Sequence, residues 1–182
     1  FLRPTTRVCH GYASIMVKDE TEYTHHQPEG FIKDSKRWVI FPRLSFMNHK
    51  KIEARNQKLS DIFSSYEKNT IHPSCDAFKD SKKGIAAGGI SYTYTMETLK
   101  KTGMVKTLKI ATPHPFPEKL AVDFLSGLDE VLCLEELDPV IERELIYICG
   151  KYHLPTRING KLSGHTACAG ENTRDTITTY IN

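Results

Sequence analysis

The architecture of this chain is read from one stretch, Gly84-Ile85-Ala86-Ala87-Gly88-Gly89-Ile90-Ser91-Tyr92. Its first half is small and apolar without alternation, the pattern of a strand buried on both faces of a parallel sheet. Two glycines then allow a tight turn, Ser91 is placed as a helix cap, and the helix is expected to run to Lys101 and stop at Gly103. The same strand-then-helix order recurs twice downstream. Val105 to Ala111 reads as a second strand, and Pro113-His114-Pro115-Phe116-Pro117 as a stiff loop. Pro117 and Glu118 suit the first turn of a helix that carries Leu120, Ala121, Phe124, Leu125 and Leu128 inward. Asp129 to Glu136 reads as the third strand, and Pro139 starts a helix with Ile141, Leu145, Ile148, Cys149 and Tyr152 on one face. Pro155 to Asn159 supplies a last short strand, and a tail from Gly160 ends in a short helix capped by Asn172. Parallel strands joined by helices require right-handed crossovers. The expected fold class is therefore α/β, a three-layer, doubly wound, mainly parallel sheet with an N-terminal arm and a connecting helix.

Upstream of this region, Thr6-Arg7-Val8-Cys9-His10 alternates polar and apolar residues, as the closing strand of a preceding domain would. The chain opens at Phe1 without Met, so a segment of a longer polypeptide is expected. Residues 18 to 48 form a polar connection in which Trp38 and Phe41 are expected to act as surface anchors. Asn48 is placed as the cap of an amphipathic helix to about Tyr66, with Ile52, Leu59, Ile62, Phe63 and Tyr66 on one side. The run Asn69 to Asp76 breaks it. The resulting division is 1–17 for the end of the preceding domain, 18–75 for linker and helix, and 76–182 for the sheet domain.

Twenty-five Lys and Arg against 22 Asp and Glu leave a net charge of only +3, which by itself points to neither nucleic acid nor a membrane surface. Charge is segregated locally: lysines dominate from Lys79 to Lys109, and carboxylates from Asp129 to Glu144. Such polarity suits solvated faces or docking between domains. The 5 cysteines are widely spaced and lack a C-x-x-C pair, which favours a reducing compartment. Cys133 and Cys149 read as small buried hydrophobes. No apolar run approaches the roughly 20 residues of a membrane span, so a cytoplasmic location and no membrane or nucleic-acid partner are expected.

Three features invite a chemical reading. The turn Gly88-Gly89-Ile90-Ser91 leads into a helix N-terminus, where backbone N–H groups and the helix dipole can hold an anion; Gly88, Gly89 and Ser91 are the candidate contacts. Glu135, Glu136 and Asp138 fall at the end of the third strand, where open parallel sheets place ligands. Adjacent strand residues face opposite ways, so Glu135 and Glu136 are not expected to share a substrate atom, and helix capping and inter-domain pairing are the favoured roles. His25-His26, Cys9-His10 and the pair His165 and Cys168 lack a second half at metal-ligand spacing, and no catalytic or metal-binding residue is assigned.

Five blocks in order carry a resemblance: Arg3 to His10, Asp34 to Val39, Gly84 to Tyr92, Leu134 to Pro139, and Gly160-Lys161-Leu162-Ser163-Gly164. Across nearly the whole chain the sequence resembles the alpha subunit of indolepyruvate ferredoxin oxidoreductase. The resemblance implies a transketolase C-terminal-like domain, preceded in the full subunit by a pyrimidine-binding domain. It further implies oxidative decarboxylation of arylpyruvates to acyl-coenzyme A, with thiamine diphosphate, magnesium and 4Fe-4S clusters in the complete enzyme. Implied partners are the other domains of the same subunit, a beta subunit, and ferredoxin as electron acceptor. For this chain itself the expectation is a non-catalytic docking domain without cofactor, with anion or coenzyme A phosphate binding at the Gly88–Ser91 turn as the alternative.

Overall fold

Four consecutive buried residues, Gly84 to Ala87, place their strand in the middle of the sheet. The structure, a computed structural model, describes residues 9–182 and divides into two units, one up to Leu44 and one from Ser45 to Asn182. In the second unit, β1 (Thr70–His72), β2 (Lys83–Gly88), β3 (Lys106–Ile110), β4 (Glu130–Leu134) and β5 (Arg157–Asn159) form one sheet in the order β1-β3-β2-β4-β5. β2 pairs parallel with β3 and β4, β4 pairs parallel with β5, and only β1 runs antiparallel, along β3.

Successive β2 side chains leave on opposite faces, and each face meets its own helices. Ala86, with Leu108, Ile110, Val131 and Cys133, packs against Phe124 and Leu125 of one helix and Ile141, Leu145 and Ile148 of another. These helices are Glu118–Leu125 and Val140–Tyr152. Ile85, Ala87 and Leu134 pack against Leu99 and Ile177, from helices Gly89–Thr102 and Arg174–Ile181. In chain order the helices are α1 (Ser35–Trp38), α2 (Pro42–Ser64), α3 (Gly89–Thr102), α4 (Glu118–Leu125), α5 (Val140–Tyr152) and α6 (Arg174–Ile181). The fold is the expected three-layer α/β sandwich with a mainly parallel sheet, consistent with a transketolase C-terminal-like domain.

Several local expectations are corrected. The run read as a mere helix breaker contains β1, too short and too close to Pro73 to show alternation. Helix α2 begins at Pro42, before Asn48, and Ile52, Ile62 and Tyr66 on its supposed inner face are exposed. Its last turns engage the loop before α4 and that helix's first turn: Ser60 Oγ donates to the Phe116 carbonyl at 2.6 Å, and Asp61 pairs with Lys119 at 2.9 Å. Ser91 does not cap α3; Gly88 holds that position and Ser91 is buried one turn in. Likewise Thr173, accepting from the Thr176 N–H at 3.2 Å, caps α6 in place of Asn172.

In the first unit Asp34 caps α1 by accepting from the Lys36 N–H at 2.9 Å, and the Arg37 guanidinium lies 4.5 Å from the Trp38 ring. Trp38 and Phe41 are largely exposed and do not serve as anchors there. The strand read at residues 6–10 lies mostly outside the described residues, and Cys9 and His10 are not in a strand.

Asn69 fastens the edge of the sheet. Its Oδ1 accepts from the Ala111 and Thr112 N–H groups at 2.7 and 3.2 Å, while Nδ2 donates to the Phe63 carbonyl at 2.9 Å and to Thr112 Oγ1 at 2.6 Å. One buried amide thus joins the end of α2, the start of β1 and the exit from β3. Asn69→Ala leaves these groups unpaired and is expected to lower stability by about 1–3 kcal/mol, read from urea unfolding.

Candidate functional site

The connection after β2 leads to β3 on one side, whereas β4 lies on the other side of β2. Such a reversal opens a crevice at the carboxyl ends of the strands. A cleft of about 760 Å³ occupies that position. One wall is the start of α3, from Gly88 to Thr93; the base carries Lys109, Ile110 and Pro113; the other wall runs from Glu135 through Asp138 to Ile141.

Two helix N-termini converge on the cleft, and they differ. At α5 the Glu135 carboxylate accepts from the N–H groups of Val140 and Ile141 through Oε2, at 3.0 and 2.8 Å, and of Glu142 through Oε1 at 3.0 Å. These donors are satisfied internally. Burial pushes the Glu135 pKa above the ordinary carboxylate range, against the pull of the three N–H groups and with the help of Glu142. At α3 no side chain caps the first turn. Gly89 has φ +56°, and a Cβ there meets no atom within 4 Å, so the turn presents open backbone to the cleft.

Of the expected contacts, Gly88, Gly89 and Ser91 all line the cleft. The Ser91 hydroxyl accepts from Asn172 Nδ2 at 2.8 Å, and the same amide reaches the Glu135 carbonyl at 3.2 Å. Asn172 thereby ties α3, the end of β4 and the approach to α6. The strand ends at Leu134, two residues short of the expected Glu136, so Glu135 and Glu136 lie in the turn after β4 and strand alternation does not set their directions; they nevertheless serve different elements, Glu136 Oε1 accepting from the Asn172 N–H at 2.9 Å. His165 and Cys168 are not brought into a pair. The His165 ring meets Ser163 Oγ at 2.9 Å, and Cys168 Sγ approaches the Lys161 carbonyl at 3.7 Å.

Sequence reading missed a second group at the same cleft. Tyr92 OH and His72 Nε2 are 2.9 Å apart, joining α3 to β1, and the Lys109 ammonium stands 4.8 Å from the Tyr92 ring. Burial raises the Tyr92 phenol pKa. Leu137, in the second wall, has a left-handed backbone with φ 59° and an exposed side chain. Twenty residues separate His72 from Tyr92, so only the antiparallel pairing of β1 could have revealed their contact.

Beyond the cleft, the fully buried Glu142 on α5 holds the 160–167 loop: the Leu162 N–H meets its two carboxylate oxygens at 3.2 and 3.0 Å. A Cβ on Gly160 would lie 2.7 Å from the Glu142 carboxylate carbon, so that position excludes a side chain. All five cysteines are free, and burial raises the thiol pKa of Cys133 and of Cys149. Among the described residues no group of three His, Cys, Asp or Glu stands ready to hold a metal ion. The donor sets of a magnesium-diphosphate or iron-sulfur site find no match among them. No described helix is long and apolar enough to cross a membrane.

No protein-family model matches the chain. It is similar to indolepyruvate oxidoreductase subunit IorA of Methanothermobacter thermautotrophicus, with 33% identity over 165 residues, 90% of this chain and 26% of that protein. The IorA subunit of Pyrococcus abyssi is 32% identical over 165 residues, 88% of this chain and 25% of that protein. That of Thermococcus kodakarensis is 34% identical over 149 residues, 79% of this chain and 22% of that protein. The chain thus spans about a quarter of the length of these relatives.

The Glu135 cap is testable without any ligand. Glu135→Ala exposes three donors at the start of α5 and is expected to cost about 1–3 kcal/mol. Hydrogen exchange should localise the change, with the amides of Val140, Ile141 and Glu142 losing protection ahead of those in β2.

Proposed function

This chain is homologous to about a quarter of the IorA subunits of indolepyruvate oxidoreductase, and from that premise we propose that it is a structural and docking domain of such an enzyme. The whole enzyme would oxidatively decarboxylate indolepyruvate and other arylpyruvates to acyl-coenzyme A in the cytoplasm, passing electrons to ferredoxin. Thiamine diphosphate, magnesium and 4Fe-4S clusters would be held by other parts of it, and this chain would contact the remaining domains of its own subunit and a beta subunit. Within the chain, 1–17 would close the pyrimidine-binding domain, 18–75 would connect, and 76–182 would be the docking domain itself.

The observation that carries this reading is the apolar surface of α2. Phe46, Met47, Ile52 and Ile62 are 58, 47, 39 and 58% exposed on one helix, while the sheet domain buries its own core completely without them. Large apolar side chains left exposed around one helix favour cover by another body over exposure to water. The decisive measurement is turnover. The purified 182-residue chain is expected to show no indolepyruvate oxidation with ferredoxin or a viologen dye, and activity from it alone would overturn the docking role.

A second reading is favoured by the uncapped start of α3: the Gly88–Ser91 turn accepts an anion, such as a phosphate of coenzyme A. Gly89→Leu would fill the open space and strain a left-handed residue. It is expected to abolish calorimetrically measured anion binding, and a chain that binds no anion at all leaves the docking role alone.

A further inference from the structure

Helix α2 is long for the contacts that hold it. It runs for 23 residues, and Ser60, near its end, is its single buried residue. A helix in water owes most of its stability to the packing of one face, and the turns before Ser60 lack that support within the chain. Their sequence says what kind of surface would supply it. Ile52, Leu59 and Ile62, at i, i+7 and i+10, lie on one side of the helix, and Lys51, Arg55 and Lys58, at i, i+4 and i+7, run along the same side. None of these three cations forms an ion pair among the described residues. The two carboxylates of α2 are engaged elsewhere, Glu53 at 3.6 Å from His49 Nε2 and Asp61 at 2.9 Å from Lys119 Nζ.

The cleft at the strand ends carries the opposite pattern. Ile90, Leu137 and Val140 are exposed and line it, and Glu136 and Asp138 flank Leu137 without a Lys or Arg partner among the described residues. Lys109, the one cation in the lining, stands against the Tyr92 ring, so the wall stays net negative. An exposed apolar patch bordered by carboxylates suits the face of a basic amphipathic helix. Two α2 helices laid on each other would instead set three cations against three. We propose that α2 of one chain docks on the cleft wall of a second copy, with Ile52 and Ile62 against Leu137 and Val140, and Lys51, Arg55 and Lys58 beside Glu136 and Asp138. Each copy carries both halves, so the contact is given and received and closes as a two-fold dimer. This rests on the docking reading of α2 and names its partner.

Sedimentation velocity of the full 182-residue chain tests it. The wild-type chain should dimerise at about 100 µM. Raising the salt from about 0.05 to 0.5 M should weaken the dimer, because exposed charges are screened as the Debye length shrinks. Arg55→Glu on the helix and, separately, Asp138→Lys on the wall should each weaken it about tenfold or more, with thermal unfolding confirming that the variants fold. If Asp138→Lys does not fold, Leu137→Lys replaces it. An equimolar mixture of the two variants should recover the dimer: one contact joins a helix and a wall altered to match, and the other joins an unaltered helix and an unaltered wall. A wild-type chain that stays monomeric overturns the inference and leaves α2 to other domains, a docking role that the turnover measurement tests separately. A dimer that only one of the variants weakens, or that neither weakens, is built on other surfaces and overturns the assignment. So does a mixture that stays monomeric.

Discussion

A strand that keeps Gly84, Ile85, Ala86 and Ala87 all away from water cannot sit at a sheet edge or face solvent on either side. It must be flanked by strands on both edges and covered by helices on both faces. The remainder of the topology follows from that requirement. With α3 and α6 on one face and α4 and α5 on the other, the chain must cross β2 between β3 and β4, and that crossing opens the strand ends into a cleft. The small residues that bury the strand and the cavity at its end are two results of one constraint.

What the apolar layers leave loose is fixed by a few buried polar groups. Asn69 joins α2 to β3, Asn172 joins α3 to β4, Glu135 closes the start of α5, and Glu142 holds the loop after β5. Each is a side chain bonded to backbone or to another buried side chain at an element end, where helices and strands leave donors and acceptors unmatched. Because an unpaired buried group costs more than a paired one gains, these four contacts specify the loop paths more than they add to net stability. Three of them border the cleft or shape its walls, so its outline is held by hydrogen bonds and not by loop length.

The layers were legible in the sequence because burial leaves a period. Ile141, Leu145 and Ile148 recur at helical spacing, and the uninterrupted apolar run of β2 admits few other readings. Caps were less legible: a Ser or Asn at a helix start looks the same whether it caps the helix or sits one residue away and bonds to something distant. Ser91 and Asn172 both sit where a cap would, and instead they bond to each other. The edge strand β1 has three residues, too few for alternation to show. The cleft's cation was hidden for a related reason, since Lys109 is one of several lysines in its region and acquires meaning only from the pairing that sets β3 between β1 and β2.

Helix α2, with its exposed apolar side chains, and the cleft differ in the charge around them. Around its apolar residues α2 carries Arg43, Lys50, Lys51, Arg55 and Lys58 against Glu53 and Asp61, while carboxylates dominate from Asp129 to Glu144, the segment that supplies one wall of the cleft. A basic apolar helix suits an acidic apolar partner surface, which electrostatic complementarity would orient before contact is made. The carboxylates of the cleft wall repel such acidic surfaces. The basic helix and the acidic cleft wall thus present opposite charge on different elements of the chain.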